Sequence, residues 1–210
     1  MYLLYDMSKI CLIIVDMQND FVNPKGSLYI KDSEKLIPII EKLRTQVEWE
    51  LVVLTQDWHP NAHVSFSTSH DKGCIGDVID TPQGKQKLWP PHCIQNTWGS
   101  QIVPQLLKHT PYIIIQKGHH KNIDSYSGFN DHSGYYKTGL KDLLTPYQIS
   151  DIYICGVATN YCVKFTAINS IEHGYITHVI SNATTTISDD LEKDLKEIKT
   201  YGVSIVDFSL

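Results

Sequence analysis

The sequence predicts an α/β fold: a three-layer sandwich in which helices cover both faces of a six-stranded, mostly parallel sheet. Six short, β-branched runs, almost continuously apolar, alternate with segments whose apolar residues recur at helical spacing. Strands that are covered on both faces have this continuous apolar character, and strand–helix alternation is typical of βαβ units. No linker, repeat or low-complexity tract divides the chain, so residues 1–210 are expected to form one domain.

The elements follow one another in a regular order. The six predicted strands cover residues 10–15, 51–55, 112–116, 151–157, 176–181 and 203–206. Helical spacing of apolar residues appears over 36–43, 102–107, 140–144, 163–171 and 191–198. Gly174 and Gly202 stand where the last two helices would end. The irregular stretch 57–100 is longer than an ordinary connection, and loops of that length usually have a function.

Composition excludes several classes of protein. The chain has 18 Lys and Arg against 23 Asp and Glu, a formal charge of −5, which argues against a general nucleic-acid binder. The apolar run 10–15 is too short for a signal-peptide core or a membrane span. Five cysteines without a Cys-x-x-Cys pair indicate reduced thiols, so a cytoplasmic protein without a membrane partner is expected.

Reactive side chains follow the predicted strands at their carboxyl ends, where open α/β sheets bind ligands. Asp16 follows the first strand, Lys117 the third, and Cys162 is predicted to open the helix after the fourth. In that position the helix dipole would favour the thiolate of Cys162. Asp16 could accept the thiol proton and Lys117 could hold the negative charge. By position alone, packing in an amphipathic helix explains this cysteine equally well.

The second strand ends in a possible metal site. Asp57 and His59 offer an oxygen and a nitrogen donor two residues apart, on one face if the segment stays extended. A firmly held metal needs a third protein ligand, and the long stretch that follows contains His63, His70 and His92. An Asp with two His suits several divalent ions.

These segments together resemble the nicotinamidases, which belong to the isochorismatase-like cysteine hydrolases. The resemblance covers residues 10 to 165 approximately, with the motifs in the family's order. It is carried by Val-Asp-Met-Gln-Asn-Asp-Phe at 15–21, Asp-Trp-His-Pro at 57–60, Trp-Pro-Pro-His-Cys at 89–93, Lys-Gly at 117–118 and Gly-Val-Ala-Thr-Asn-Tyr-Cys-Val at 156–163. The segment 89–93 separates nicotinamidases most clearly from other members.

The resemblance implies hydrolysis of nicotinamide to nicotinate and ammonia, in NAD salvage, through a cysteine thioester. It implies a triad with Asp16 as base, Lys117 as electrostatic partner and Cys162 as nucleophile. The backbone amides of Ala158 and Cys162 would form the oxyanion hole. The family usually has a cis peptide bond before that alanine, here between Val157 and Ala158.

The resemblance also implies a divalent metal, usually zinc with iron or manganese as alternatives. Its ligands would be Asp57, His59 and His92, and it would orient the pyridine nitrogen. The implied partner is therefore a small molecule, nicotinamide or its close analogue pyrazinamide, since both present a ring nitrogen and a carboxamide. Homo-oligomers are common in the family.

Aromatic residues complete the implied pocket. Phe21 and Trp89 would form walls around the ring, and Tyr126 matches a pocket tyrosine of the family. Two questions stay open at this point. His63 either assists at the metal or is a structural loop residue, and the variable segment 119–125 either acts as a lid or is an ordinary loop.

Two alternatives remain beside this interpretation. Another cysteine amidase of the superfamily, acting on N-carbamoyl or ureido substrates, would share the triad and generally lack the metal ligands. A catalytically silent homologue would bind a ligand without turnover, but no residue of the triad or of the metal set is missing here. Isochorismatase itself does not use the cysteine, so Cys162 argues against that activity.

Overall fold

A computed structural model describes residues 8–208, so the ends of the predicted domain, 1–7 and 209–210, lie outside the described residues. The strands are β1 (Ile10–Val15), β2 (Leu51–Asp57), β3 (Val78–Thr81), β4 (Gly84–Lys87), β5 (Ile113–Lys117), β6 (Asp151–Val157), β7 (Ile176–Thr185) and β8 (Ser204–Val206). The α-helices are α1 (Asn19–Val22), α2 (Leu36–Gln46), α3 (Leu140–Leu144), α4 (Lys164–Glu172) and α5 (Leu191–Lys199).

The main sheet has six strands in the order β5-β2-β1-β6-β7-β8, and every neighbouring pair is parallel. This sheet, with helices around it, confirms the predicted fold class. Because the pairing is parallel and in register, Val15 lies beside Gly156 and Asp57 beside Lys117. The carboxyl ends of four strands therefore meet at one edge.

Each face of the sheet has its own core. Side chains alternate along β1, so that Leu12 and Ile14 pack with helix α2 while Ile13 and Val15 pack on the opposite face with α3, α4 and α5. All four side chains are fully buried. This double burial explains why the strands are apolar without alternation.

Some elements differ from the prediction. The segment 102–107 forms only a 3₁₀ turn, Pro104–Leu107, because proline disfavours helical backbone angles at the residue before it and Val103 has ψ 130°. The antiparallel hairpin of β3 and β4 was not predicted, since its strands are four residues long and mostly polar. Within residues 8–208, no helix combines the length and apolar character that crossing a bilayer requires.

Close approach of β1 and β6 requires a glycine at the site edge. Gly156 has φ +104°, and a Cβ there would lie 2.8 Å from the backbone nitrogen of Val15 and nearer still to its carbonyl oxygen. A side chain at Gly156 would therefore push apart the two strands that end at the reactive edge. A Cβ at Gly174, where φ is +89°, would have no other atom within 4 Å, so this glycine serves as a comparison.

We predict that Gly156→Ala lowers the free energy of unfolding by at least about 3 kcal/mol, because backbone strain adds to the collision with β1. Gly174→Ala carries only the strain of a positive φ, about 1–2 kcal/mol. Urea unfolding of both variants measures the difference. Equal losses would show that β6 can move away from β1 without cost.

Candidate active site

Four reactive side chains meet where the central strands end. Asp16 directly follows β1, Asp57 and Lys117 are the last residues of β2 and β5, and Cys162 lies in the turn after β6. All four are buried. The strand ends predicted from the sequence therefore come together at one edge.

Lys117 connects this group. Its Nζ lies 2.9 Å from Asp16 Oδ2 and 3.4 Å from Cys162 Sγ, and it forms a short ion pair with Asp57 Oδ1. It also donates to the carbonyl oxygen of Ser125 at 3.1 Å. Burial by itself lowers the pKa of Lys117, but the two carboxylates outweigh it and hold the pKa well above its ordinary value. The side chain is an ammonium, and its ion pair with Asp57 was not predicted.

Asp16 is held in place by Thr55. The Thr55 hydroxyl accepts from the backbone N–H of Asp16 at 3.1 Å and donates to its Oδ1 at 2.6 Å, which fixes a residue with φ +49°. Burial raises the pKa of Asp16 and Lys117 partly offsets the rise. The 2.9 Å approach of Lys117 to Oδ2 is an ion pair without hydrogen-bond alignment. The Oδ2 atom of Asp16 therefore keeps a lone pair that can accept a proton. Sequence reasoning missed Thr55, which looks like any other residue of a buried strand.

Cys162 is 7% exposed, and its sulfur lies within 4.8 Å of carboxylate oxygens of Asp16 and Asp57. Burial raises the pKa of the thiol well above its ordinary value, although Lys117 opposes the rise. Burial therefore opposes the effect that a helix dipole was expected to have on this thiol. The cysteine lies in a π-helical turn, Thr159–Val163, and helix α4 begins at Lys164. The thiol needs a base to become a nucleophile.

The turn that carries Cys162 has a fixed backbone. The peptide bond between Val157 and Ala158 is cis, as the resemblance implies. The carbonyl oxygen of Ala158 accepts from the backbone N–H groups of Tyr161 and Val163, at 3.0 and 3.1 Å. Of the two amides predicted as the oxyanion hole, that of Ala158 directly precedes this turn and that of Cys162 lies within it. Their role stays a prediction.

The three predicted metal ligands form one buried cluster. Asp57, His59 and His92 each offer a ligand atom within 4.8 Å of the others, and the Nε2 atoms of His59 and His92 lie 3.6 and 3.9 Å from Asp57 Oδ2. The Nδ1 atom of each ring lies 2.8 Å from a backbone carbonyl, of Gly118 for His59 and of Pro90 for His92. Those carbonyls require a proton on Nδ1, so Nε2 is left to coordinate. The donor set fits a divalent cation.

The protonation preferences of Asp57 and His92 agree with this assignment. Burial raises the pKa of Asp57, but Lys117 and His59 lower it by more than burial raises it. The net shift is downward, so the carboxylate stays ionised. Burial lowers the pKa of His92 to about 4, which keeps that ring neutral. Burial also lowers the pKa of His59, but the neighbouring Asp57 outweighs it and the net shift is upward. A proton on His59 would therefore compete with a cation for Nε2.

Gly118 makes the placement of His59 possible. A Cβ at Gly118 would collide with the imidazole ring, and its φ of +66° also disfavours a side chain. The absence of a side chain lets the Gly118 carbonyl reach Nδ1 of His59. The Lys-Gly pair at the end of β5 therefore supplies both the central ammonium and the hydrogen bond that orients a metal ligand.

A cavity opens onto Cys162 and onto the metal ligands. Its walls include the three aromatic residues that the resemblance implied, Phe21, Trp89 and Tyr126. Trp89 Nε1 donates to the hydroxyl oxygen of Tyr126 at 3.0 Å, and the Phe21 ring lies 5.4 Å from that of His92. The cavity thus combines aromatic walls with the thiol and the metal ligands.

His63 does not point a free nitrogen at the cluster. Its Nδ1 lies 2.7 Å from Ser65 Oγ and its Nε2 lies 3.2 Å from the carbonyl oxygen of Ile123, while its ring stacks on His59 at 4.1 Å. Within 119–125, His119 is exposed, whereas Ile123 and the two residues after it are buried. Through Asp124, this second half forms part of the cavity wall. The sequence did not predict that Asp124 faces the cavity.

Comparisons with known proteins agree on one group. The Isochorismatase domain matches residues 10–208. The chain is 40% identical to the nicotinamidase of Saccharomyces cerevisiae over 93% of this chain and 98% of that protein. The yeast nicotinamidase bound to the inhibitor nicotinaldehyde superposes with a TM-score of 0.89, at 38% identity, covering 95% of this chain and all of that one. Pyrazinamidase of Pyrococcus horikoshii in complex with zinc has a TM-score of 0.75 at 33% identity, covering 95% and 99%.

We predict that Lys117→Met lowers the free energy of unfolding of chelator-treated protein by about 3–5 kcal/mol, because Asp16 and Asp57 lose their shared ammonium. Lys85→Met is the control, since Lys85 pairs with Asp80 at the exposed surface and its loss has little effect. Urea unfolding monitored by circular dichroism compares the two. A Lys117→Met variant as stable as the control would contradict the central position of this ammonium.

Proposed function

Because the chain belongs to the isochorismatase family and groups with its nicotinamidases, we propose that it hydrolyses nicotinamide to nicotinate and ammonia, in NAD salvage. One observation carries the proposal. A single cavity is lined by Cys162 and by the Asp57, His59 and His92 cluster, and Lys117 and Asp16 lie beside the sulfur. A carboxamide and a ring nitrogen on one small molecule match those two groups.

The first step makes the nucleophile. Asp16 accepts the proton of the Cys162 thiol through Oδ2, and the sulfur attacks the carboxamide carbon. Lys117 Nζ, 3.4 Å from the sulfur, stabilises the negative charge while it is on the thiolate. As the carbon becomes tetrahedral, the charge moves to the carboxamide oxygen, where the amides of Ala158 and Cys162 donate hydrogen bonds.

The next steps release the two products. Asp16 returns its proton to the amide nitrogen, the carbon–nitrogen bond breaks, and ammonia leaves behind a thioester on Cys162. Asp16 then takes a proton from water, whose oxygen attacks the thioester carbon. The carbon–sulfur bond breaks to give nicotinate, and the cysteine regains its proton. A carboxyl group whose pKa burial has raised is suited to both accepting and donating that proton.

The substrate ring is positioned by the other half of the cavity. Asp57, His59 and His92 would hold a divalent cation, zinc with iron or manganese as alternatives. When bound, it supplies a Lewis-acid site for the pyridine nitrogen. Phe21 and Trp89 pack against the ring and exclude water from it. This arrangement favours nicotinamide over the N-carbamoyl substrates of related cysteine amidases, which have no ring nitrogen for the cluster.

Ammonia release from nicotinamide by freshly purified protein, with metal content measured on the same sample, tests the proposal. The expected result is nicotinate and ammonia in equal amounts, about one metal per chain, and loss of activity on chelation. Metal without turnover would instead indicate a silent ligand-binding homologue. Turnover limited to N-carbamoyl substrates, without metal, would assign the chain to the related amidases.

We predict that Cys162→Ala lowers kcat by at least about 10⁴-fold, because no other group can form the thioester. Metal content and the circular dichroism spectrum are expected to stay unchanged. Cys155→Ala is the matched control, since Cys155 is a buried thiol inside β6 and should keep its turnover. An active Cys162→Ala enzyme would exclude the cysteine as nucleophile.

We predict that His92→Ala lowers metal content after dialysis and raises KM for nicotinamide, because one of three ligands is lost. His70→Ala is the control, since His70 bonds to the carbonyl of Val64 and does not belong to the metal cluster. Metal analysis and steady-state kinetics give both readouts. Full metal occupancy in the His92→Ala variant would show that His92 is not a metal ligand.

A further inference from the structure

A third carboxylate, that of Asp124, faces the cavity without a role in the steps above. Asp124 is 4% exposed and lines the cavity beside Asp57 and His59. Its Oδ1 accepts from the backbone N–H of Ser125 at 2.8 Å, and its Oδ2 accepts from Gln86 Nε2 at 3.0 Å. Both donors are neutral, and the basic groups near the carboxylate are imidazoles, among them His59 and His63. A buried charge without a full counter-charge is costly.

The position of Asp124 associates it with the metal ligands rather than with the nucleophile. An Asp124 oxygen lies within 4.8 Å of ring nitrogens of His59 and His63. The carboxylates within the same distance of the Cys162 sulfur are those of Asp16 and Asp57. Through His59, Asp124 is therefore a direct neighbour of the proposed cation site.

The wall that carries Asp124 is fixed in place. His63 stacks on His59 and reaches the carbonyl oxygen of Ile123, the residue before Asp124. Ser125, the residue after it, accepts from Lys117. The hairpin supplies Gln86, which is itself buried. Contacts on three sides therefore hold the carboxylate beside the histidines.

A divalent cation would balance the charges of this cluster. Three carboxylates (Asp16, Asp57 and Asp124) and one ammonium (Lys117) leave a net charge of −2 when the imidazoles are neutral. Among the described residues, Lys117 is the one buried basic side chain of the Lys and Arg type. A bound divalent ion would bring the cluster to neutrality.

We propose that Asp124 is the second carboxylate of the cation site, and that its negative charge beside His59 sets how tightly the divalent ion is retained. The inference rests on that part of the proposed function in which Asp57, His59 and His92 hold a divalent cation. It assigns Asp124 a positioning role through charge, without direct action on the substrate.

This role gives Asp124 effects of different size in the two forms of the protein. Without a cation its charge repels Asp57, and the imidazoles of His59 and His63 beside it offset that repulsion in part. With a cation the same charge is attractive to a full divalent charge, so its removal weakens the loaded protein by more than the metal-free protein. A carboxylate that only held the wall together would stabilise both forms equally.

Asp124→Asn, which keeps the shape and the capacity to accept a hydrogen bond, separates these possibilities. Zinc affinity is measured by competition with a chromophoric chelator, and Tm is measured with and without zinc. We expect the Kd for zinc to rise at least about tenfold, the size of effect found for groups around metal ligands. The Tm of the zinc-loaded protein should fall by more than that of the metal-free protein, so that zinc raises the Tm of the variant by less than it raises that of the wild type.

Asp131→Asn is the matched control. Asp131 is a buried carboxylate of the same loop, and it accepts from Ser133 Oγ and from the backbone N–H groups of Tyr135 and Tyr136. Its loss should lower Tm in both forms and leave the Kd for zinc unchanged.

Three results would overturn the inference. An unchanged Kd in Asp124→Asn would remove the residue from the cation site, whether or not the wild-type protein hydrolyses nicotinamide. A lower Tm in both forms, with an unchanged Kd, would leave Asp124 a structural residue. A wild-type protein that binds no zinc, iron or manganese would overturn both this inference and the cation in the proposed function.

Discussion

A fully buried ammonium determines the arrangement of the site. Removing a lysine side chain from water costs several kcal/mol, and only close carboxylates with good geometry offset that cost. Lys117, at the end of β5, has two such carboxylates. Asp57 ends β2, the neighbouring strand, and Asp16 follows β1, the strand beyond it. The carboxylates in turn depend on the ammonium, because each would otherwise be a buried charge without a partner. The three strand ends therefore stabilise one another by charge as well as by backbone pairing.

This sharing of one ammonium makes the cavity a single electrostatic unit. Asp57 belongs both to the cluster around Cys162 and to the cluster with His59 and His92. A cation at Asp57 would neutralise part of the charge that Lys117 now balances alone, and would leave the ammonium freer to stabilise negative charge on sulfur. On the proposed function, the reactivity of Cys162 would therefore depend on whether the cation site is occupied.

The sequence predicts the elements of this arrangement that lie at strand ends, because parallel strands bring their carboxyl ends to one edge whatever the loops do. Contacts away from the strand ends follow no such rule, because sequence spacing does not indicate which residues will meet. Thr55 reaches Asp16 across neighbouring strands, and only register places them together. Asp124 depends on Gln86, which lies in a polar hairpin too short to give a periodic signal. The π-helical turn around Cys162 has the same apolar spacing as the start of an ordinary helix.

The aromatic walls of the cavity bear on which substrate the proposed function would select. Water in the cavity would compete for the sulfur, for the metal ligands and for a carboxamide, and side chains such as Phe21 and Trp89 leave it less room. On the proposed function, a flat aromatic ring would pack between these walls while its nitrogen and its carboxamide reach the two polar groups. A linear substrate would reach the polar groups but leave the walls uncovered. The proposal therefore requires that ring and amide be recognised together.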